Sequence, residues 1–346
     1  MRTLALDIGG ANLKAAHSEG SVRSAPFELW RNPNELTPAI ADLCRGMPKH
    51  DALAVTMTAE LCDCYETKSK GVLAVLSAIE KFLGKRKRTA PARVWLTNGK
   101  LATLSEARSQ PQLAAASNWL ALATWAGRLC GTGRAIVMDI GSTTSDIIPL
   151  HDGVPVPRGR TDRDRLASGE LVYAGVRRTP LAALVHALDV SGQTCRVASE
   201  HFATTWDAYL WLGEIAEEPR NRLTADGRPA TRAAAAARLA RVVCSDRTLM
   251  SDDDISQIAR QVADAQRSDL LRALRSVEMI LGGHAGTVIS AGSGEFLTRR
   301  IIERLHQPPT LVSLADQLGP DVSAAACAYA LATLAAECLA EKSHGR

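Results

Sequence analysis

Two short stretches concentrate the groups that handle phosphate. One reads Asp7-Ile8-Gly9-Gly10-Ala11-Asn12-Leu13-Lys14, the other Asp139-Ile140-Gly141-Ser142-Thr143-Thr144-Ser145-Asp146. Each starts on an Asp at the end of an apolar run, passes a glycine-containing turn and enters a second apolar run. The backbone N–H groups of such a turn, helped by small hydroxyls and amides, form a concavity for phosphate oxygens. Gly9, Gly10, Asn12, Gly141, Ser142, Thr143 and Thr144 are the phosphate contacts this predicts. Asp7 and Asp139 are placed to hold Mg²⁺ directly or through water. Lys14 is close enough to neutralise phosphate charge, unless it is an exposed strand lysine. Asp146 either takes a proton from a nucleophile or bonds backbone at a strand end. Asp7, Asp139, Asp146 and Lys14 form the candidate catalytic set. Donors, a cation and a metal around phosphate would stabilise charge developing on leaving oxygens.

A third glycine-rich turn, Ser290-Ala291-Gly292-Ser293-Gly294, joins a strand pattern to a helix pattern. A helix N-terminus after such a turn is an anion or nucleotide site, so Gly292, Ser293 and Gly294 are the expected nucleotide-side loop; a structural turn is the alternative. Four residues are candidates for substrate contact. Glu60 lies in a loop after a buried strand, where ligands of α/β proteins usually sit, and is a second candidate proton acceptor. Arg177 and Arg178 are adjacent; on a strand they would point opposite ways, leaving one for the ligand. Asn118 opens or flanks a helix. Cys62 and Cys64 read as structural thiols.

The positioning elements follow from periodicity. Residues 3–8 and 12–17 read as a strand pair, with Phe27 to Trp30 as a third strand. A helix over Pro33 to Cys44 follows, with Asn32 as its cap. Then come a strand at 52–57, a helix at 68–83, a strand at 93–96 and a helix from Leu113 to Leu129. The pattern restarts at Arg134. Residues 1–132 and 133–346 are therefore expected to be two like domains, the second with a mainly helical insertion at about 160–280. That insertion holds an Ala-rich helix at 230–243 and a long one at 252–281. Asp252, Asp253 and Asp254 in its first turn complement the helix dipole more simply than they bind metal. A strand at 310–313 and a helix at 322–339 close the chain.

The chain has 346 residues, enough for two domains. With 4% aromatic residues and a net charge of +4, nothing argues for a nucleic-acid surface. The densest basic run, Lys85-Arg86-Lys87-Arg88, reads as a solvated loop. No apolar run approaches the roughly 20 residues that span a bilayer. The chain opens directly on a strand pattern, so no signal peptide is expected. The eight dispersed cysteines lack zinc spacing and suit reduced thiols in the cytoplasm.

Taken in order, the three turns resemble those of the actin/sugar-kinase/Hsp70 superfamily. This implies an α/β fold of duplicated ribonuclease H-like (actin-like ATPase) domains with mixed sheets. Tyr173-Ala174-Gly175-Val176-Arg177-Arg178-Thr179-Pro180-Leu181 is similar to a segment of the hydantoinase A/oxoprolinase-like branch. Within that branch the chain resembles the tetrahydromethanopterin-linked one-carbon-pathway proteins, including methanofuran-biosynthesis synthases. That resemblance rests on the first turn, Met57-Thr58-Ala59-Glu60-Leu61-Cys62-Asp63, Ser117-Asn118-Trp119-Leu120-Ala121 and Tyr173–Leu181. Ala59 stands where glycine is common in the pattern. The resemblance implies a transferase in which a tyramine- or tyrosine-derived phenol displaces diphosphate from a furanylmethyl diphosphate. Small-molecule substrates, no nucleic acid and no membrane are the implied partners, with a homodimer left open. Superfamily membership alone implies an ATP-dependent small-molecule kinase, a hydantoinase-like ATPase or a nucleotide-gated partner-binding protein. Whether ATP binds stays open at this level.

Overall fold

A computed structural model describes residues 1–84 and 91–344. The basic run Lys85-Arg86-Lys87-Arg88 lies outside the described residues.

The first sheet is built from β1 (Thr3–Ile8), β2 (Asn12–His17), β3 (Val22–Pro26), β4 (Ala52–Met57), β5 (Ala92–Trp95) and β6 (Leu101–Ala102), in the order β3-β2-β1-β4-β5-β6. Every side chain of β1 and β4 is buried, as expected for central strands covered on both faces. The hairpin β1–β2 is antiparallel, and β4 and β5 join in parallel through helical crossovers.

The second half repeats this plan. It uses β7 (Arg134–Ile140), β8 (Ser145–His151), β9 (Val154–Pro155) and β10 (Leu171–Val172). A separate hairpin, β11 (Ala187–Val190) with β12 (Gln193–Arg196), follows. Then β13 (Thr287–Ala291) and β14 (Thr310–Ser313) complete the sheet, ordered β10-β8-β7-β13-β14 with β9 on β8. Again the first two long strands are antiparallel and the next two parallel. The protein is thus a duplicated ribonuclease H-like α/β fold of mixed sheets. Its mainly helical insertion comprises Asp162–Ser168, Thr205–Leu212, Arg232–Arg241 and the long helix Asp252–Ile280. Ser251 and Asp254 form a capping box at the start of that long helix, which fits the dipole reading of its acidic first turn.

One apolar core fills the first half and another fills the second sheet and the long helix. A third lies between the halves. There Asn118–Ala126 crosses to β7, β8 and β9, while Ala326–His344 of the second half crosses to β1, β2 and β4. Both helices are rich in alanine at the contact, which lets helix and sheet approach closely. Among the described residues no helix is long and apolar enough to cross a membrane.

Three local expectations are corrected. The third strand is Val22–Pro26, not Phe27–Trp30. The amides of Phe27 and Leu29 instead bond the carbonyls of Ala11 and Gly10, folding this segment over the first turn. Asn32 makes no side-chain cap, and Pro33–Glu35 is a 3₁₀ turn ahead of the helix Leu36–Cys44. The expected helix from Leu113 to Leu129 is broken: Pro111–Ala114 ends, Ala116 adopts φ +45°, and a new helix starts at Asn118. Buried Ser117 secures the break by bonding the Trp95 carbonyl at 2.9 Å and the Thr56 hydroxyl at 3.0 Å.

Candidate functional site

The two hairpins place their turns face to face across a cleft of about 560 Å³ between the halves. Strand register decides what each contributes. In the first hairpin Asp7 pairs with Lys14; in the second Asp139 pairs with Asp146. The duplication thus presents two equivalent acids, while the position opposite each has diverged into a cation on one side and an acid on the other. All four line the cleft, with Gly9, Gly10, Asn12, Gly141, Ser142, Thr143 and Thr144. The Asn12 amide reaches the Ser142 hydroxyl at 3.5 Å, so the turns meet.

Each turn is braced by a distant segment. The first is covered by Phe27–Trp30, which brings Trp30 to the cleft. The second is braced by the Tyr173–Leu181 segment: Val176 N–H bonds the Gly141 carbonyl, and Arg177 and Arg178 N–H both bond the Ser142 carbonyl. A Cβ on Gly175 would lie 2.4 Å from the Ser142 carbonyl carbon and the Thr143 nitrogen, so only glycine permits this approach. The segment is a loop. Arg177 turns to Glu218 at 2.6 Å and stacks on Trp206, while Arg178 stacks on Trp30 and lines the cleft.

The cleft floor is acidic and buried. Burial raises the Asp7 carboxyl above its ordinary value, opposed by Lys14 and a hydrogen bond from Asn118. Asp7 Oδ1 is buried with no hydrogen-bond partner. Burial, reinforced by Asp146, pushes Asp139 up to about 7, again opposed by Lys14. Asp146 is also raised by burial although Arg165 Nη2 bonds it at 2.6 Å. Arg165 is buried and stacks on Trp119, with 4.2 Å to the ring centroid. Arg165 thus occupies Asp146. Glu60 differs: it is 1% exposed, lines the cleft and keeps Oε2 free of any hydrogen bond. Burial pushes it up to about 7 against the pull of Lys68, whose ammonium lies 3.6 Å away.

Among the described residues no group of three or more His, Cys, Asp or Glu could by itself hold a metal ion. Yet the donor chemistry fits Mg²⁺, which binds through one or two carboxylates, waters and substrate phosphates. The orphaned Asp7 oxygen and the upward shift of both turn acids mark a shortage of positive charge that such an ion would relieve.

The third turn does not enter the cleft lining. The Gly292 amide bonds Ser323, and the Gly294 amide bonds the Ile140 carbonyl at 2.9 Å. Gly292, at φ +88°, has room for no Cβ: one would lie 2.4 Å from Asp139 Oδ1. These glycines therefore buttress the second turn, and Ser293 faces an adjoining pocket. Sequence reasoning missed Cys327, a buried thiol 3.4 Å from Asp139 Oδ2, and Arg165. Neither carried a signal: one sits in an Ala-rich helix, the other in an apparently solvated Asp-Arg-Asp-Arg run.

Two ribonuclease H-like halves with paired Asp-Ile-Gly turns over an acidic cleft define the actin-like class. The chain belongs to the hydantoinase/oxoprolinase family, whose profile matches residues 51–338. It is 33% identical over 336 residues to the (4-{4-[2-(gamma-L-glutamylamino)ethyl]phenoxymethyl}furan-2-yl)methanamine synthase of Methanocaldococcus jannaschii, covering 96% of each chain. It is 32% identical over 203 residues to the synthase of the same name from Methanococcus vannielii, covering 58% of this chain and 90% of that one. A nucleotide-free structure of acetone carboxylase, from work on ATP-dependent acetone carboxylation, superposes with a TM-score of 0.53 at 11% identity. It spans 96% of this chain and 70% of that one, a likeness of fold.

Proposed function

We propose that this protein is an aryl-ether synthase of methanofuran-type cofactor biosynthesis. It joins a furanylmethyl diphosphate to the phenol of a tyramine-derived acceptor and releases diphosphate. The relative that covers nearly the whole chain carries the name of such a product, a furan methanamine bearing a substituted phenoxymethyl group. The single observation that carries the reading is the cleft itself: two phosphate turns, one lysine and a buried carboxylate with a free oxygen in one lining.

In this reading the turn amides and hydroxyls of residues 9–12 and 141–144 hold the diphosphate, and Lys14 neutralises part of its charge. Bound Mg²⁺, held by Asp7 and Asp139, would supply further charge for the leaving oxygens. Glu60 Oε2 takes the phenol proton. The phenol oxygen forms the new bond to the furanylmethyl carbon, and the electron pair of the broken C–O bond departs with diphosphate. A carboxylate near pKa 7 suits this work, since a large share of it is ionised at neutral pH and it is basic enough to draw a phenol proton as the bond forms. Trp30 and Trp119 supply apolar walls for the two rings.

The competing reading is an ATP-dependent kinase or hydantoinase-like ATPase. The bonding of the Gly292 and Gly294 amides to the protein supports the transferase over it, because those amides are not offered to a nucleotide. Among the described residues none of the eight cysteines forms a disulfide, and this reading takes the reducing cytoplasm as the setting. The test is direct. Purified protein with Mg²⁺, an aminomethyl-furanylmethyl diphosphate and a tyramine-type phenol should release diphosphate and form the ether in equal amounts. Absence of both products sinks the proposal.

A further inference from the structure

A second cavity of about 710 Å³ adjoins the cleft and shares Asn12, Lys14, Trp30, Ser142 and Arg178 with it. Its volume is that of a site for a small organic ligand. The shared residues make Arg178, stacked 4.7 Å from the Trp30 centroid, the partition between the two spaces.

The charges of this second cavity do not balance. Glu218 is taken by Arg177 and Glu28 by Arg31. Among the described residues no carboxylate stands within ion-pair distance of Arg178 or Arg222; the only side-chain bond of Arg222 is to the Gly227 carbonyl, at 3.4 Å. Two guanidinium groups thus face the cavity without an acid. Stacking on Trp30 fixes the Arg178 plane before any ligand arrives, the geometry that suits bidentate capture of a carboxylate.

We infer that this second cavity is the subsite for a carboxylate-bearing tail on the phenol acceptor, with Arg178 as the receptor of that carboxylate and Arg222 beside it. The inference rests on the proposed transferase reading and goes further by saying how the acceptor lies. With diphosphate on the two turns and the phenol oxygen near Glu60, the substituent opposite the phenol oxygen leaves past Trp30 and Arg178. The product named for the relatives carries such a tail: a γ-linked glutamyl group keeps its α-carboxylate free. A phosphate-bearing ligand would share the chemistry, and the experiment separates the two.

The test compares two acceptors, 4-[2-(γ-L-glutamylamino)ethyl]phenol and tyramine, in calorimetric binding and in steady-state ether formation. Wild-type protein should favour the glutamylated phenol in both. Arg178→Ala should cut that preference by about tenfold to a hundredfold, the value of a hydrogen bond between charged groups. Arg178→Lys, which keeps the charge and loses the fork, should restore only part of it. Equal loss for both acceptors, or a rise confined to the KM of the furanylmethyl diphosphate, would assign Arg178 to the diphosphate and overturn the inference. So would a wild-type protein that binds both acceptors alike. A wild-type binding preference with no ether formed would sink the transferase reading and leave the subsite standing.

Discussion

At the scale of single residues, the two carboxylates at about 7 are not interchangeable. Asp139 sits under a turn, raised by burial and by Asp146. Glu60 sits across the cleft with a free oxygen and a lysine for a neighbour. Glu60→Gln keeps the shape and removes the proton acceptor. We expect kcat to fall by about a hundredfold or more, the usual worth of a positioned base. The wild-type pH–rate profile should lose activity as the pH drops through about 7, and the variant should lack that limb. Stability should move the other way. The folded value lies above the ordinary 4.5, so the favourable contribution of Glu60 is complete below 4.5 and disappears as the pH rises through about 7. Melting curves at about pH 5 and about pH 9 should therefore show the variant gaining on wild type only at the higher pH, Lys68 retaining Asp162 at 3.0 Å. An unaltered profile and unaltered kcat would remove Glu60 from the chemistry. The turn acids were legible because acid, glycine and hydroxyl fall within eight consecutive residues of one hairpin. Arg165 and Cys327 were not, because only tertiary packing brings them beside Asp146 and Asp139.

At the scale of elements, the site depends on irregular joints more than on strands. Strand boundaries at 52–57 and 310–313 follow from short stretches rich in apolar and β-branched residues, and the structure keeps them. The helix break before Asn118 left no glycine or proline at residues 115–117, so periodicity ran through it. Tertiary bonds from Ser117 impose it, and it places the Asn118 amide on Asp7. The loop carrying Arg177 and Arg178 left no local mark either, because the backbone bonds that fix it go to the second turn, far away in sequence. That brace yields a prediction. Gly175→Ala must push the loop off the backbone of Ser142 and Thr143. Overpacking of this kind costs about 1–3 kcal/mol, and it should appear in denaturant unfolding. Diphosphate affinity should weaken with it, since Ser142 belongs to the turn. Normal stability with normal affinity would mean that the brace is dispensable.

At the scale of the whole molecule, the duplication was legible in two copies of one motif, but the exchange of helices between the halves was not. Alanine-rich helices carry no mark of which sheet they will cover. That exchange, with Lys68 bonding Asp162 and Arg160 bonding the Thr97 carbonyl, ties the halves together, and the turns themselves meet through the Asn12 amide on Ser142 at 3.5 Å. If the proposed function holds, a diphosphate bound by both turns with Mg²⁺ should stabilise the folded protein by mass action, by about 2.7 kcal/mol at a hundredfold excess over Kd. The melting temperature should rise by a few degrees, since the shift per kcal/mol shrinks with chain size below the about 2–4 °C of chains of roughly 150–250 residues. Mg²⁺ alone or diphosphate alone should do much less, because the first turn offers Asp7 alone and at the second Arg165 already holds Asp146. Asp7→Asn and Asp139→Asn come from opposite halves, yet each alone should abolish most of the joint shift while leaving the unliganded melting temperature near wild type or above it, both carboxyls being raised by burial. If both variants keep the full shift, the turn acids do not hold the metal; if Mg²⁺ with ATP outdoes Mg²⁺ with diphosphate, the cleft belongs to a nucleotide and the kinase-like reading prevails.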